Sequence, residues 1–291
     1  MMVRSRLREN DVRRRVALQL SAYLGIGAGA LGAESMRHLA DLYVASEPRD
    51  LSDWYRVCDD HLHALRTRQP AHVRDEVLID LVALKRQVQI ADARSLTELK
   101  RIEASLATLL ANALTRLGDH TAAIRWWRNA KETADATGDL ELRLAIRSTE
   151  AGHGRYGQRF PEAVLGLTRE AMSLAGKQPT LGKALVACSH VKALGLAGRH
   201  ADAEQALAMC EDLFASAGRP PDVMPGYWTG GQLEYTRLLV HAGAGKEAEV
   251  DTAIDQYMTR VLSRTSDHQF GPQAHLQRAL CTIVNGGIDT G

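Results

Sequence analysis

The sequence predicts an all-α protein built of stacked helical hairpins, and three observations carry that reading. Apolar residues recur at helical spacing in one segment after another. Each segment stops at a turn, most of them bearing glycine. Hairpin-length units then recur along the chain, as in a repeat architecture. The clearest unit runs from Glu103 to Asp139. Its first helix carries Leu106, Leu109, Leu110, Ala113, Leu114 and Leu117 on one stripe. Gly118-Asp119-His120 breaks it, and Thr121 is the expected N-cap of the second helix. Ile124, Trp127, Ala130 and Ala134 share that helix's inward face, and Gly138-Asp139 ends the unit. Of Trp126 and Trp127, one ring is expected in the core and one half-exposed. Aromatics are only 5% of the chain, which suits helix-on-helix packing through small residues.

From the N-terminus, residues 1–35 read as a basic segment with a linker helix, and 36–291 as the helical repeat domain. Arg4, Arg6, Arg8, Arg13, Arg14 and Arg15 face only Glu9 and Asp11 in the first twenty residues. Arg14-Arg15 before the mild apolar run from Val16 imitates a twin-arginine export signal. The competing reading is a helix packed on the repeats of a cytoplasmic protein. The run is too short and glycine-rich to span a membrane. Residues 33–44 read as helix. Ser52 is the expected cap of a helix holding Trp54, Cys58, Leu62 and Leu65, and Gln69-Pro70 breaks it. Residues 73–91 form an amphipathic helix with Val77, Leu78, Leu81, Leu84 and Val88 inward. Ser95 and Glu98 make a capping box for the next helix.

Four turns share one frame. They are Gly118 to Ala123, Gln158 to Ala163, Gly198 to Ala203 and Gly243 to Ala248. The alanine near the start of each second helix permits a close crossing, and the ring at His120, Phe160 or His200 plugs the turn. Residues 218–231 form the longest loop, where Tyr227 and Trp228 either wedge two repeats apart or serve function. A last first helix, residues 273–284, turns Leu276, Leu280 and Ile283 inward without a partner helix. It therefore leaves an apolar face for a second chain, and a homodimer is expected.

The glycine–ring–alanine frame, with Leu110-Ala111, Leu114 and Leu117 ahead of it, resembles the tetratricopeptide repeat. The resulting fold is a tetratricopeptide-like α-solenoid, with repeats about six residues longer than usual. A wider resemblance covers roughly residues 13–291. Gly118-Asp119, Trp126-Trp127 and Ala134 to Asp139 carry it first. Tyr227-Trp228 leading to Arg237, Ser266-Asp267 and Leu276 to Cys281 extend it. These look like the C-terminal effector half of actinobacterial helix-turn-helix (XRE-type) transcriptional regulators. Arg13-Arg14-Arg15 looks like the linker that follows the DNA-binding domain in that class. The twelve residues before Arg13 cannot hold three helices. The expectation is therefore no sequence-specific DNA binding by this chain alone, only weak phosphate contacts from its arginines. The resemblance also implies a regulator that acts as a dimer.

Composition and motifs narrow the function classes. Lys+Arg 36 against Asp+Glu 35 lacks the basic excess of a nucleic-acid binder. Cys58, Cys188, Cys210 and Cys281 are too dispersed for a metal site and read as buried thiols. His61 and His63 project roughly 160° apart on a helix, so they read as a solvated face and not as ligands of one ion. Gly25 to Ala30 hints at a dinucleotide loop, but no strand precedes it, and a flexible break is the plainer reading. No HExxH, GxSxG or GxxxxGK[ST] occurs. No enzyme, cofactor or metal is expected.

The repeat geometry supplies the site. In stacked hairpins the first helices line the concave side. That places Asn112, Arg116, Ser148, Arg155, Tyr156, Lys192, Arg237 and His241 there as the expected ligand- or peptide-binding groove. The set is polar and net positive, suited to an acidic peptide or carboxylate, with Asn112 and Arg116 fixing oxygens. The leading expectation is the sensory and interaction domain of a transcriptional regulator, binding a peptide, protein or small-molecule ligand. A stand-alone adaptor that scaffolds partners is the second reading, and an enzyme using the groove is the third.

Overall fold

The computed structural model describes residues 48–217, 231–260 and 270–287. The basic N-terminal segment, the export-like motif, the glycine run at 25–30, Tyr227, Trp228 and Ser266-Asp267 lie outside those residues. The described residues are all-α, with eleven helices. They are α1 (Leu51–Thr67), α2 (Pro70–Ile90), α3 (Ala93–Arg116), α4 (His120–Asp135), α5 (Leu140–Gly154) and α6 (Pro161–Ala175). Then follow α7 (Leu181–Leu196), α8 (His200–Ser216), α9 (Gln232–Gly243), α10 (Glu247–Arg260) and α11 (Phe270–Val284). Among the described residues, no helix is long and apolar enough to cross a membrane.

The helices begin where aspartates allow. Asp50, Asp92 and Asp119 accept the backbone N–H three residues on, from Asp53, Ser95 and Ala122. The sequence pointed instead to Ser52, Ser95 and Thr121. In each case an aspartate lies one to three residues upstream and takes the cap, because a short carboxylate satisfies the orphan N–H and suits the helix dipole. Ser52 and Ser95 donate to those aspartates. Glu98 accepts from the Tyr55 hydroxyl and ties α3 to α1 in place of a capping box.

Odd-numbered helices pair with the even-numbered helices that follow them, and each hairpin packs on the next. α3 packs on α1, α5 on α3, α7 on α5, α9 on α7 and α11 on α9. The apolar core is divided accordingly. One cluster joins α1 to α5 around Trp54, Leu81, Leu110 and Trp127. A second joins α5 to α9 around Val164, Val191 and Leu207. A third joins α9 to α11 around Leu238, Ile254 and Tyr257. α7 and α5 approach closely at Gly182, where a Cβ would lie 2.7 Å from the Cβ of Leu144 on α5. Trp126 and Trp127 are both buried, because α4 is covered by α3 on one side and α5 on the other.

The turns correct the repeat frame. Gly118, Gly198 and Gly245 have φ of 75°, 72° and 70°, and each lies two residues before a second helix. Gly157, at φ 85°, precedes a longer turn that ends at Pro161, the first residue of α6. The inward residue near each helix start is therefore Ala123, Val164, Ala203 or Val250, all buried. Ala163 and Ala248 are exposed. His120 packs beneath Gly157, and His200 lies against Gly243. Phe160 does not plug its turn and is 83% exposed.

On α11, Ala274 and Cys281 face the neighbouring hairpin. Leu276, Leu280 and Ile283 point outward, with Val284 beside them. His61 is buried and corrects the solvated-face reading. Its Nε2 lies 2.8 Å from Asp80 Oδ2 on α2, while His63 is exposed. Among the described residues, no group of three His, Cys, Asp or Glu could hold a metal ion.

Candidate functional site

The odd-numbered helices build one cavity of about 560 Å³. Leu62 and Arg66 come from α1, Thr108 and Asn112 from α3, Ser148 and His153 from α5. Ser189 and Lys192 come from α7, Gln232 and Tyr235 from α9, and Gln273 from α11. All six first helices thus contribute a wall.

Six of the eight residues singled out from the sequence line this cavity: Asn112, Arg116, Ser148, Arg155, Tyr156 and Lys192. Arg237 and His241 do not. They border a shallower depression against α10 with Glu249 and Gln256. The reason is rotation. Tyr235 faces the cavity, and two residues further along a helix is about 200° round its axis. Arg237 therefore turns to α8, where its Nε donates to Glu211 Oε1 at 2.6 Å. The frame assigned to the fourth hairpin began at Gly243 instead of Gly245, which carried this phase error upstream.

The sequence also missed several lining residues. Thr108, Gly152 and Ser189 lie three or four positions from Asn112, Ser148 and Lys192, on the same helical rows. Stepping by those intervals would have found them. Gln232 and Tyr235 follow residues 218–230 and lacked a periodic signal.

The cavity's polar floor is a seam between α5 and α7. Ser148 Oγ donates to the carbonyl of Leu185 at 2.8 Å, and Ser189 Oγ donates to the carbonyl of Ser148 at 2.9 Å. His153 Nδ1 lies 2.9 Å from the carbonyl of Thr149, so Nδ1 donates and Nε2 is left as an acceptor. The His153 ring packs 5.5 Å from Trp127 and 6.0 Å from Tyr156, centroid to centroid.

Charge in the cavity is one-sided. Arg66, Arg116, Arg155 and Lys192 line it, and among the described residues no aspartate or glutamate does. Glu150, next to the lining residue Thr149 on α5, points to the opposite face of that helix. There it pairs with Lys131 and Arg159, each at 2.7 Å. Arg116 donates to the carbonyl of Leu65. The Arg155 guanidinium lies 5.0 Å from the Tyr156 ring centroid and 5.5 Å from that of Tyr235. Lys192 Nζ donates to Gln232 Oε1 at 3.0 Å. Burial pushes the Lys192 ammonium down to about 8, and Arg155 adds to the shift. Burial also pushes His153 down to about 4, reinforced by Arg116, Arg155 and Lys192. His153 is thus neutral at physiological pH.

Such a chamber can hold a ligand of small-molecule size, because binding cavities of about 300–1,000 Å³ are usual. The chain matches no family model, no characterised protein and no solved structure. What the described residues define is an all-α fold with a cation-lined chamber walled by its odd-numbered helices.

Proposed function

We propose that the hairpins form a tetratricopeptide-like α-solenoid that acts as the sensory and interaction domain of a cytoplasmic transcriptional regulator, with its ligand held in the cavity on the concave side. One observation carries this reading: the cavity is walled by all six first helices. A ligand that touches every hairpin favours one arrangement of the whole array, because each hairpin packs mainly on its neighbours. That is what a sensor requires. Packing of each first helix on the next supports the solenoid part, and the motifs around Trp126-Trp127 support the regulator part. The chemistry proposed is binding: cations, amides, hydroxyls and rings line the cavity and suit a polar ligand.

The test is a transcriptome of a deletion strain complemented with wild type or with Thr149→Trp, which fills the cavity from α5. Wild type should restore the altered transcripts and Thr149→Trp should not, with the variant protein folded by circular dichroism. Equal rescue by both removes the cavity from the reading. An unchanged transcriptome on deletion removes regulation and favours the adaptor.

The same reading includes a homodimer through the outer face of α11. Leu276, Leu280, Ile283 and Val284 are between 40% and 65% exposed there. Four large apolar side chains on one helix face are a self-complementary patch for a two-fold contact.

A further inference from the structure

Two of the cavity's cations are held without a carboxylate among the described residues. Arg155 lies over the rings of Tyr156 and Tyr235, with Nη2 donating to Tyr156 Oη at 3.0 Å. Lys192, 8% exposed, has the neutral amide of Gln232. Several part-buried cations elsewhere in the fold are paired with carboxylates. Lys85 meets Glu103, Lys131 and Arg159 share Glu150, and Arg143 and Arg147 share Asp135. A chain whose formal charge is only +1 has therefore segregated positive charge into one chamber. Burying charge without a counter-charge costs stability, and it persists where function uses it.

Three buried polar atoms of lining residues also lack a hydrogen-bond partner among the described residues: Arg155 Nε, Asn112 Oδ1 and Gln273 Oε1. Buried polar atoms are normally satisfied, so these three suit groups supplied by a ligand. Around them stand Leu62, Leu65, Pro70, Leu109, Tyr156 and Tyr235, an apolar and aromatic wall. A simple inorganic anion would leave most of about 560 Å³ unfilled.

Resting on the proposed ligand-binding role of the cavity, we infer that its ligand is a small organic anion, a carboxylate or phosphate ester. Its charged group sits against Arg155 and Lys192, and its apolar body lies against the tyrosine and leucine wall. The two head groups share one chemistry, oxygen acceptors with negative charge, which guanidinium and ammonium donors meet with charge-assisted hydrogen bonds. Asn112 and Gln273 add the neutral amides that orient the rest of the molecule.

The test uses the full chain and two fluorescent probes with one hydrocarbon frame, anionic 8-anilinonaphthalene-1-sulfonate and neutral N-phenyl-1-naphthylamine. Wild type should bind the anionic probe about tenfold more tightly or better. Lys192→Gln and Arg155→Gln should each erase most of that preference and leave the neutral probe within about twofold. Lys192→Arg should keep it. Thr149→Trp should block both probes, and melting curves verify that every variant is folded. Displacement by 1-naphthoate against 1-naphthyl phosphate then separates a carboxylate from a phosphate ester.

Equal affinity for the two probes, or charge variants that weaken both alike, would overturn the anion assignment and leave the cavity as a neutral binding site. Probes that bind Thr149→Trp as they bind wild type, or that do not bind wild type, would remove the cavity reading itself.

Discussion

Glu150 forms an ion pair with Lys131 Nζ at 2.7 Å, while Thr149, one residue before it, lines the cavity. Successive positions on α5 thus separate the ion pairs from the chamber. The Glu150 side chain is 2% exposed, whereas those of Lys131 and Arg159 are 23% exposed. The two sides of the network should therefore respond unequally to mutation. Removing both cations strands a buried carboxylate, and Lys131→Met with Arg159→Met should cost about 3–5 kcal/mol. Glu150→Gln leaves two cations that can turn to water, and should cost only about 1–2 kcal/mol. Urea denaturation of both proteins decides it, and equal costs would refute the asymmetry.

The first core cluster should be the most sensitive to truncation. Leu110→Ala should cost about 2–5 kcal/mol and Trp127→Ala about 3–5 kcal/mol, since both side chains have no exposure. Trp127 Nε1 is buried with no hydrogen-bond partner among the described residues. Trp127→Phe should therefore cost distinctly less than Trp127→Ala, because it removes an unsatisfied donor along with part of the ring. Thermal melts of the three variants give the order.

Acid should destabilise the protein through His153. Its neighbours are Arg116 on α3, Trp127 on α4, Arg155 and Tyr156 beyond the end of α5, and Lys192 on α7. None bears a negative charge. The unfolded chain takes a proton near the ordinary 6.5, while the folded chain resists it down to about 4. Stability is thus fully present above 6.5 and is lost as pH falls through that window. The loss is on the order of 3 kcal/mol by pH 4. The corresponding Lys192 window begins only near 8 and does not overlap. Against wild type, His153→Gln should flatten the dependence of stability on pH between 6.5 and 4. Equal slopes for the two proteins would refute the assignment.

Close helix contact at Gly182 should be intolerant of even one methyl group. Gly182→Ala pushes a Cβ to 2.7 Å from that of Leu144, and neither backbone can retreat alone. A cost of about 1–3 kcal/mol is expected, measured by thermal unfolding. Gly166→Ala, with nothing within 4 Å of the added atom, is the control and should be neutral or stabilising.

Assembly is tested at α11. Leu280→Asp should turn a sedimenting dimer into a monomer with unchanged helicity. A wild-type monomer would remove the interface from the proposed function.

Hairpins were legible in the sequence because a 3.6-residue apolar period survives wherever one helix face is buried. Leu106, Leu110 and Leu114 show it plainly. Caps were less legible, since Asp50 and Ser52, or Asp119 and Thr121, offer oxygens to the same few N–H groups, and only geometry decides between them. The site was legible where one helical phase held, from Asn112 to Arg116 and at Lys192. It failed at Arg237 and His241, where the frame of one turn slipped by two residues and rotated the inferred face of α9. The full burial of Trp126 was not legible, because it depends on α5 closing over α4, a contact that no local pattern encodes.

The cavity's walls run from Leu62 to Gln273, so the chamber is closed by one of the last described helices to leave the ribosome. Hairpins at the front of the chain can fold as they emerge, but an unfinished chain has only an open trough. Under the proposed role, a ligand can therefore stabilise only a chain that already extends through α11, and it does nothing for one that stops short of that helix.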